Sequence, residues 1–200
     1  MFNKIIKRIF DFIASLIGCI ILTPVFIIIA ILIKLDSKGP VLFKQKRVGQ
    51  YGKEFEILKY RTMVVDAEKI GKQITVGNDS RITKVGYTLR KYKLDELPQL
   101  FNVLKGDMSL VGPRPEVPKY VELYNECDRE VLKVKPGITD FASIEYRDEN
   151  EILGTVENPE EYYINVIMKH KLQLNLKYIN SNNVFLDIKI IFKTLLKCLK

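Results

Sequence analysis

The sequence has little histidine and cysteine and lacks a glycine-rich phosphate loop. Each of these shortages argues against one class of functional site. His170 is the only histidine, so neither a His-ligated metal centre nor a Ser-His-Asp triad is expected. The spacing of Cys19, Cys127 and Cys198 fits neither a zinc site nor a disulfide framework, which suits a reducing compartment. There is no Walker-type loop and no dinucleotide fingerprint. Any bound phosphate would therefore be held mainly by side chains.

Positive charge is what the chain has in excess. Its 200 residues carry a formal net charge of +8, and 47% of them are hydrophobic. This is enough apolar sequence for one domain with a modest core. The charge predicts an anionic partner, and nucleic acid, anionic lipid and phosphorylated substrates all qualify. If a metal is used, carboxylates and substrate phosphates would bind it, which favours magnesium or manganese.

A long apolar run near the N-terminus predicts a membrane element. Residues 12–33 contain no charged side chain, and as a helix they would reach roughly 33 Å, enough to cross a bilayer core of about 30 Å. Thr23 and Pro24 lie near the middle of the run, and proline bends or breaks a helix. A kinked spanning helix and a re-entrant helix are both compatible with this pattern.

The charges that flank the run favour re-entry, because both flanks are basic and basic flanks prefer the cytoplasm. Residues 1–36 are therefore predicted to form a re-entrant membrane helix broken at Thr23 and Pro24, and residues 37–200 one cytosolic, membrane-associated domain. The Thr23 hydroxyl can donate to a carbonyl group freed at the break. Asp11 can pair locally with Lys7, four residues earlier. The flanking cations are Lys4, Lys7 and Arg8 before the run and Lys34, Lys38, Lys44, Lys46 and Arg47 after it.

The remaining chain predicts an α+β fold that is mostly helical. A small β-hairpin is expected over residues 41–61, with Gly49 and Gly52 at its turn. The last helix carries Lys189, Lys193 and Lys197 opposite an apolar face, which fits either an amphipathic interfacial helix or a packed terminal helix with a solvated lysine stripe. Helices are predicted over residues 64–70, 81–93, 94–104, 117–133, 159–179 and 184–200, and a polar loop over 75–80.

Four basic side chains are candidates for phosphate binding. Lys59 and Arg61 share one face of the second predicted strand by period two, which describes either a solvated basic edge or a phosphate site. Arg90 belongs to a basic surface on the predicted helix 81–93. Arg114 lies between two prolines, which suits either a tight turn or a guanidinium held rigidly for bidentate phosphate recognition. Gly112, just before it, allows a close backbone approach.

Two adjacent carboxylates, Asp95 and Glu96, follow this basic segment. Acidic residues are common at a helix start, where they cap N–H groups and meet the positive end of the dipole. The same pair can also hold a divalent ion and attack phosphorus through one carboxylate. The residues alone therefore indicate a membrane-bound chain that handles phosphate with the help of a metal, and both interpretations of the pair stay open.

An ordered series of segments resembles the bacterial sugar transferases called small monotopic phosphoglycosyl transferases. The resemblance runs from about residue 4 to 140. Its segments are Lys7-Arg8-Ile9-Phe10-Asp11-Phe12, Phe55 to Met63, Arg81 to Gly86, Leu89-Arg90-Lys91, Leu94-Asp95-Glu96-Leu97-Pro98, Asn102 to Ser109, Val111-Gly112-Pro113-Arg114-Pro115 and Lys135-Pro136-Gly137-Ile138-Thr139.

The resemblance implies an enzyme of the bacterial inner membrane whose catalytic domain, residues 37–200, lies on the cytoplasmic face. It implies transfer of a sugar 1-phosphate from a UDP-sugar to polyprenyl phosphate with release of UMP, as the first membrane step of a glycoconjugate pathway. It also implies Mg²⁺ and a phospho-aspartate, with Asp95 as nucleophile, Glu96 as its partner and both as metal ligands. Lys59, Arg90 and Arg114 match basic positions of the active site, and Thr23-Pro24 matches the helix break.

One segment departs from the family pattern, and two other functions compete. After Thr139 the family often continues Gly-Trp-Ala-Gln, whereas residues 140–147 read Asp-Phe-Ala-Ser-Ile-Glu-Tyr-Arg and the chain has no tryptophan. The rivals are a membrane-surface adaptor and a membrane-tethered nucleic-acid binder. The Asp95-Glu96 pair argues against both, since a binder of polyanions gains nothing from paired carboxylates. We therefore expect no nucleic-acid partner, and we leave homo-oligomerisation open.

Overall fold

A computed structural model of the chain describes residues 2–67 and 79–198 and shows a mostly helical protein with a small antiparallel hairpin. The predicted loop 75–80 and the end of the predicted helix 64–70 lie largely outside the described residues. The helices are α1 Phe2–Ile21, α2 Thr23–Asp36, α3 Lys84–Lys91, α4 Gln99–Lys105, α5 Pro118–Val121, α6 Phe141–Glu145, α7 Glu149–Gly154, α8 Pro159–Tyr162, α9 Met168–Ser181 and α10 Val184–Cys198. The strands are β1 Leu42–Val48, β2 Glu54–Tyr60, β3 Ser109–Val111 and β4 Gly137–Thr139.

The N-terminal apolar run forms two helices that meet at an angle. α1 and α2 are bent by 61° at Leu22, and Pro24 lies in the first turn of the second helix, where its missing backbone donor is tolerated. The Thr23 hydroxyl donates to the Cys19 carbonyl at 2.8 Å, as the sequence predicted. Among the described helices, none is by itself long and apolar enough to cross a membrane, and only the bent pair reaches that length and composition together.

Two buried aspartates attach the first helix to the rest of the molecule. Asp11 in α1 is 2% exposed and accepts from the Ser109 hydroxyl at 2.7 Å and the Leu110 N–H at 3.2 Å. Lys7 lies 3.9 Å from Asp11, but its shorter contact is with Asp187 in α10, at 2.5 Å. The predicted local pair therefore exists, and a tertiary network that joins α1, β3 and α10 surrounds it.

The predicted hairpin is confirmed, with β1 and β2 paired antiparallel and Phe43 opposite Lys59. An asparagine fixes its outer edge. The Asn102 side chain in α4 accepts from Leu58 N at 2.9 Å and donates to the Glu56 carbonyl at 2.8 Å, so it satisfies the strand as a neighbouring strand would. This bridge holds α4 against β2 and places the end of β2 beside the turn that precedes α4.

A second, parallel pair of short strands was not predicted. β3 pairs with β4, and Ser109 lies opposite Gly137. The backbones at the end of the pair approach so closely that a Cβ atom on Gly112 would lie 2.5 Å from the Lys135 carbonyl oxygen. Glycine is therefore required there, and the prediction of a close backbone approach at Gly112 is confirmed.

The C-terminal half packs one cluster of buried side chains around Val121, Leu153 and Ile167 and a second around Val111, Tyr178 and Ile190. The predicted helix 117–133 is wrong: α5 ends early, and Asn125 and Asp128 exchange side chain-to-backbone hydrogen bonds that start a separate 3-10 turn. The predicted helix 159–179 is confirmed, with a π-helical segment between α8 and α9.

Three helices keep large apolar side chains exposed. These side chains lie on α1, α2 and α10, and among them are Ile9, Ile13, Ile17, Ile20, Ile27, Ile31, Phe185, Phe192 and Leu195.

Candidate active site

Four short segments that are distant in sequence meet beside the hairpin. Lys59 is next to the last residue of β2, and Asp95 and Glu96 form a 3-10 turn just before α4. Arg114 follows β3 in the predicted irregular segment between two prolines. Lys93, at the start of the 3-10 turn, adopts a left-handed backbone with φ of 55°, which turns the chain sharply after α3. The pair therefore does not cap the first turn of an α-helix.

Glu96 is held by two cations. Both of its carboxylate oxygens bind the Arg114 guanidinium, through Nη1 at 3.0 Å and through Nη2, and Lys59 Nζ lies 3.1 Å from Oε1. Burial alone would raise the pKa of Glu96, but the charges of Arg114 and Lys59 lower it well below its ordinary value. Glu96 is therefore ionised, and its role in the structure is to position two cations.

Asp95 differs from Glu96 both in its hydrogen bonding and in the direction of its pKa shift. It is 8% exposed, and its Oδ1 is buried without a hydrogen-bond partner among the described residues. Burial raises the pKa of Asp95, and the neighbouring charge of Glu96 raises it further. Lys59 and Arg90 lower the pKa but do not cancel these effects. An unsatisfied buried carboxylate costs stability, so its persistence indicates a reactive or ligand-binding role.

The other two predicted cations differ in position. Arg90, in the last turn of α3, donates through Nε to the Thr62 hydroxyl at 2.9 Å and lies within electrostatic range of Asp95. Arg61 does not join the group, because its guanidinium donates to the Pro40 carbonyl, the Ser37 hydroxyl and backbone carbonyls at the end of α2. Arg61 lies one residue beyond β2, where the period-two alternation that aligned it with Lys59 no longer applies.

A buried aspartate, Asp140, binds the backbone of Arg114. Asp140, which is fully buried, accepts from Arg114 N at 3.2 Å and from Ser143 N at 2.5 Å. It lies in the segment after β4, so the close pairing of β3 with β4 brings the two residues together. The sequence offered no signal for this contact beyond the departure from the family pattern at residue 140.

A large cavity opens beside these residues. Its volume is about 1660 Å³, which exceeds the size of a typical small-molecule site. Asp95, Glu96, Lys59 and Arg114 line it at one place. Apolar residues of α1 and α10 also line it, including Phe10, Ala14, Gly18, Ile188, Ile191 and Leu195. Its lining further includes the polar residues Arg47, Glu116, Ser143, Lys171 and Asn175.

The carboxylates of the site bear on the predicted magnesium. Across residues 2–67 and 79–198, no three His, Cys, Asp or Glu side chains gather into one cluster. Mg²⁺ is often bound by one or two carboxylates together with substrate phosphates, and the unpartnered Asp95 Oδ1 suits that arrangement. The Glu96 oxygens are already bound to Arg114 and Lys59, so Asp95 is the better ligand of the two.

Sequence reasoning missed a second polar cluster beside the site. Arg47 in β1 donates to the Pro115 carbonyl at 3.1 Å and lies 3.6 Å from Glu116, which also accepts from the Tyr163 hydroxyl. Burial lowers the pKa of Arg47, while Glu116 opposes that shift. The prolines around Arg114 drew attention to this segment, but nothing in the sequence linked it to residue 47 or residue 163.

Comparison with known proteins finds relatives along almost the whole chain. The sequence matches the family described as bacterial sugar transferase over residues 2–200. It is 39% identical over 196 residues to a UDP-N-acetylgalactosamine-undecaprenyl-phosphate N-acetylgalactosaminephosphotransferase of Aeromonas hydrophila, covering 95% of this chain and 43% of the relative. It is 40% identical over 200 residues to the UDP-glucose:undecaprenyl-phosphate glucose-1-phosphate transferase of Escherichia coli strain K12, covering 98% and 40%.

A shorter relative matches along most of its own length. The uncharacterized sugar transferase EpsL of Bacillus subtilis strain 168 is 39% identical over 197 residues, which cover 98% of this chain and 88% of that protein. The chain thus spans less than half of the first two relatives and most of the third. The match extends over the bent helix pair, the hairpin and the carboxylate site together, and the chain therefore belongs to the bacterial sugar transferase family.

Proposed function

We propose that this chain transfers a sugar 1-phosphate from a UDP-sugar to polyprenyl phosphate and releases UMP. The observation that supports it best is the buried, unpartnered Asp95 oxygen next to cations held by Glu96. The names of the first two relatives give the same substrates, an undecaprenyl phosphate and a UDP-sugar. In this proposal the chain acts in building a glycoconjugate such as a capsule, exopolysaccharide, O-antigen or glycoprotein glycan.

The chemistry proceeds in two steps. In the first, a carboxylate oxygen of Asp95 attacks the β-phosphorus of the UDP-sugar, the bond to the bridging oxygen breaks, and UMP leaves. In the second, an oxygen of polyprenyl phosphate attacks the phosphorus on Asp95, and the carboxylate is released. Lys59, Arg90 and Arg114 offset the negative charge that grows on the phosphate oxygens and the leaving group.

Magnesium is part of the proposal. Asp95 would hold it together with the donor phosphates, and Glu96 would contribute if it exchanged a cation contact. The ion would supply charge neutralisation at the diphosphate. We expect exhaustive EDTA treatment to remove activity and added Mg²⁺ to restore it, because the carboxylate of Asp95 and the donor phosphates offer the oxygen ligands that Mg²⁺ prefers. Full activity after EDTA would contradict the use of a metal.

Release of UMP from a panel of UDP-sugars tests the function directly. The purified chain in nanodiscs that contain polyprenyl phosphate should release UMP with at least one donor. Asp95→Asn should release none. Its matched control is Asp148→Asn, which removes an exposed aspartate outside the site and should keep UMP release. A chain that releases no UMP with any donor would favour the rival function, a membrane-surface adaptor without activity.

We also propose that α1 and α2 enter the bilayer from the cytoplasmic side and return to it. The 61° bend at Leu22, the basic residues at both ends and the exposed apolar side chains support this topology. Asp11 and Arg61 tie the two helices to the catalytic domain, which would then face the membrane surface where a lipid phosphate lies.

Cysteine labelling tests the topology. Single cysteines near Asn3 and Ser37, in a Cys-free chain, are exposed to an impermeant thiol reagent on intact cells. Neither should label. Replacing Thr23 and Pro24 with leucine should straighten the break and move the Asn3 site towards the outside, which provides the positive control. Labelling of the Asn3 site in the otherwise native sequence would refute re-entry.

A further inference from the structure

The cavity that Asp95 lines is also lined by a set of polar residues, here called the polar arm, and two of them carry a buried atom in need of a partner. The polar arm consists of Arg47, Glu116, Ser143, Glu149, Lys171 and Asn175. Asn175 in α9 is 5% exposed, and its Oδ1 makes no hydrogen bond within the part of the chain that the structure describes. Ser143 Oγ, in α6, is buried in the same condition. Both residues line the cavity that Asp95 lines. Buried polar atoms without partners are rare and costly, so two of them on residues that line one cavity indicate a ligand that completes them.

The arm begins next to the phosphate-binding residues. Asp140 accepts from the backbone N–H groups of both Arg114 and Ser143, so two hydrogen bonds join Ser143 to the backbone of the residue whose guanidinium binds Glu96. A group bonded directly to the phosphate beside Arg114 would therefore reach Ser143 first.

The charged groups of the arm are already paired with one another. Arg47 lies 3.6 Å from Glu116, and Lys171 forms an ion pair with Glu149. Lys171 Nζ also lies 5.2 Å from the centre of the Tyr163 ring. The arm thus offers hydrogen-bonding groups and aromatic faces with little uncompensated charge, which suits a neutral polyhydroxyl group better than a further phosphate.

We propose that Ser143 and Asn175 hydrogen-bond the glycosyl group of the donor and determine which UDP-sugar is used. This inference rests on the proposed function. In a UDP-sugar the glycosyl group is bonded to the β-phosphate that Asp95 attacks, whereas the uracil lies beyond a second phosphate and a ribose. Amide and hydroxyl side chains both donate and accept, as sugar hydroxyls do, so each can distinguish epimers that differ in the direction of one hydroxyl.

Substrate preference is the first measurement. Asn175→Ala and Ser143→Ala are compared with Asn180→Ala, which alters the same residue type on an exposed position of the same helix. The readout is kcat/KM for UDP-sugars that differ at one hydroxyl or acetamido group. The ratio between the preferred donor and its epimer should fall roughly three- to tenfold in the two variants and stay constant in the control. An equal fall for every donor would overturn the proposal and favour contact with the nucleoside.

Donor affinity is the second measurement, and it separates this proposal from the proposed function. In an Asp95→Asn background, calorimetry compares the affinities for a UDP-sugar and for UMP. The UDP-sugar affinity should fall when Asn175→Ala or Ser143→Ala is added, and the UMP affinity should not. Unchanged UDP-sugar affinity would show that only water completes these atoms. If the wild-type chain releases no UMP, the proposed function is contradicted, but the affinity comparison can still be interpreted. If Asn175→Ala does not fold, the same two measurements are made on Ser143→Ala alone.

Discussion

Two pairs of buried or partly buried carboxylates lie among the described residues of this molecule, and their hydrogen bonds differ. Asp11 and Asp187 join α1 to β3 and α10, and each of their four oxygens accepts a hydrogen bond, from Ser109, Leu110, Lys7 and Tyr178. Asp95 and Glu96 also lie close together, but only Glu96 has its oxygens bound, while Asp95 Oδ1 has no partner among the described residues.

The contrast separates a structural pair from a reactive one. A buried carboxylate whose hydrogen bonds are complete stabilises one arrangement of helices and has no free lone pair in the direction of a substrate. A buried carboxylate with a free oxygen is energetically costly, and the neighbouring Glu96 raises that cost while it positions Lys59 and Arg114. In this account the second pair gives up stability in order to present a nucleophile.

The largest expected difference is in turnover. Asp95→Asn removes the attacking oxygen, so UMP release should fall by at least about 10⁴-fold, the scale seen when a covalent nucleophile is removed. The control Asp148→Asn should keep wild-type turnover. Substantial UMP release by Asp95→Asn would assign the chemistry to another residue.

The next difference is in stability and concerns the structural pair. Asp187→Asn removes the closer of the two anionic partners of Lys7 and places an amide N–H₂ against a donor, so the free energy of unfolding should fall by about 3 kcal/mol. Thermal unfolding in nanodiscs measures it, again with Asp148→Asn as the control. Equal stability of the two variants would show that the network between α1 and α10 contributes little.

The geometry of the cations gives a smaller effect on rate. Arg114 binds both oxygens of Glu96, and a lysine offers one point charge that cannot span them. Arg114→Lys should therefore lower kcat by about 100-fold, similar to the loss of one transition-state donor. Arg129→Lys, on the exposed surface, is the matched control. Unchanged kinetics in Arg114→Lys would favour the alternative that Arg114 belongs to a tight turn without a role in phosphate recognition.

The smallest expected effect has the opposite sign. Because the pKa of Asp95 is raised in the fold, its ionised form destabilises the protein as pH rises from the ordinary value of 3.8 through the raised value. Asp95→Asn should therefore increase stability at neutral pH, by about 1 kcal/mol, and the gain should vanish below that ordinary value. A variant less stable than wild type at neutral pH would show that the Asp95 charge is favourable in the fold.

Local patterns in the sequence predicted the local structure well. Period-two alternation located the hairpin, and a proline within an apolar run located the helix break. The parallel pair of β3 and β4 was missed because three-residue strands carry too little pattern to be recognised. The helix 117–133 was wrong because Asn125 and Asp128 satisfy each other's backbone groups and end it.

Tertiary partners were harder to predict than the site residues themselves. Motifs indicated Lys59, Asp95 and Arg114, and the structure brings all three together. The partner of Lys7 lies 180 residues away, and no sequence spacing connects them. Arg61 was grouped with Lys59 by alternation, but it lies just after the strand ends and binds the C-terminal end of α2.

Labelling of the nucleophile tests the central claim most directly. The chain is mixed with a UDP-sugar labelled in the β-phosphate, without polyprenyl phosphate, and quenched within one turnover. The account predicts one labelled phosphosugar per chain, located on Asp95 by peptide mass spectrometry, absent from Asp95→Asn and discharged when polyprenyl phosphate is added. UMP release without any label on the protein, or a label on another residue, would contradict it.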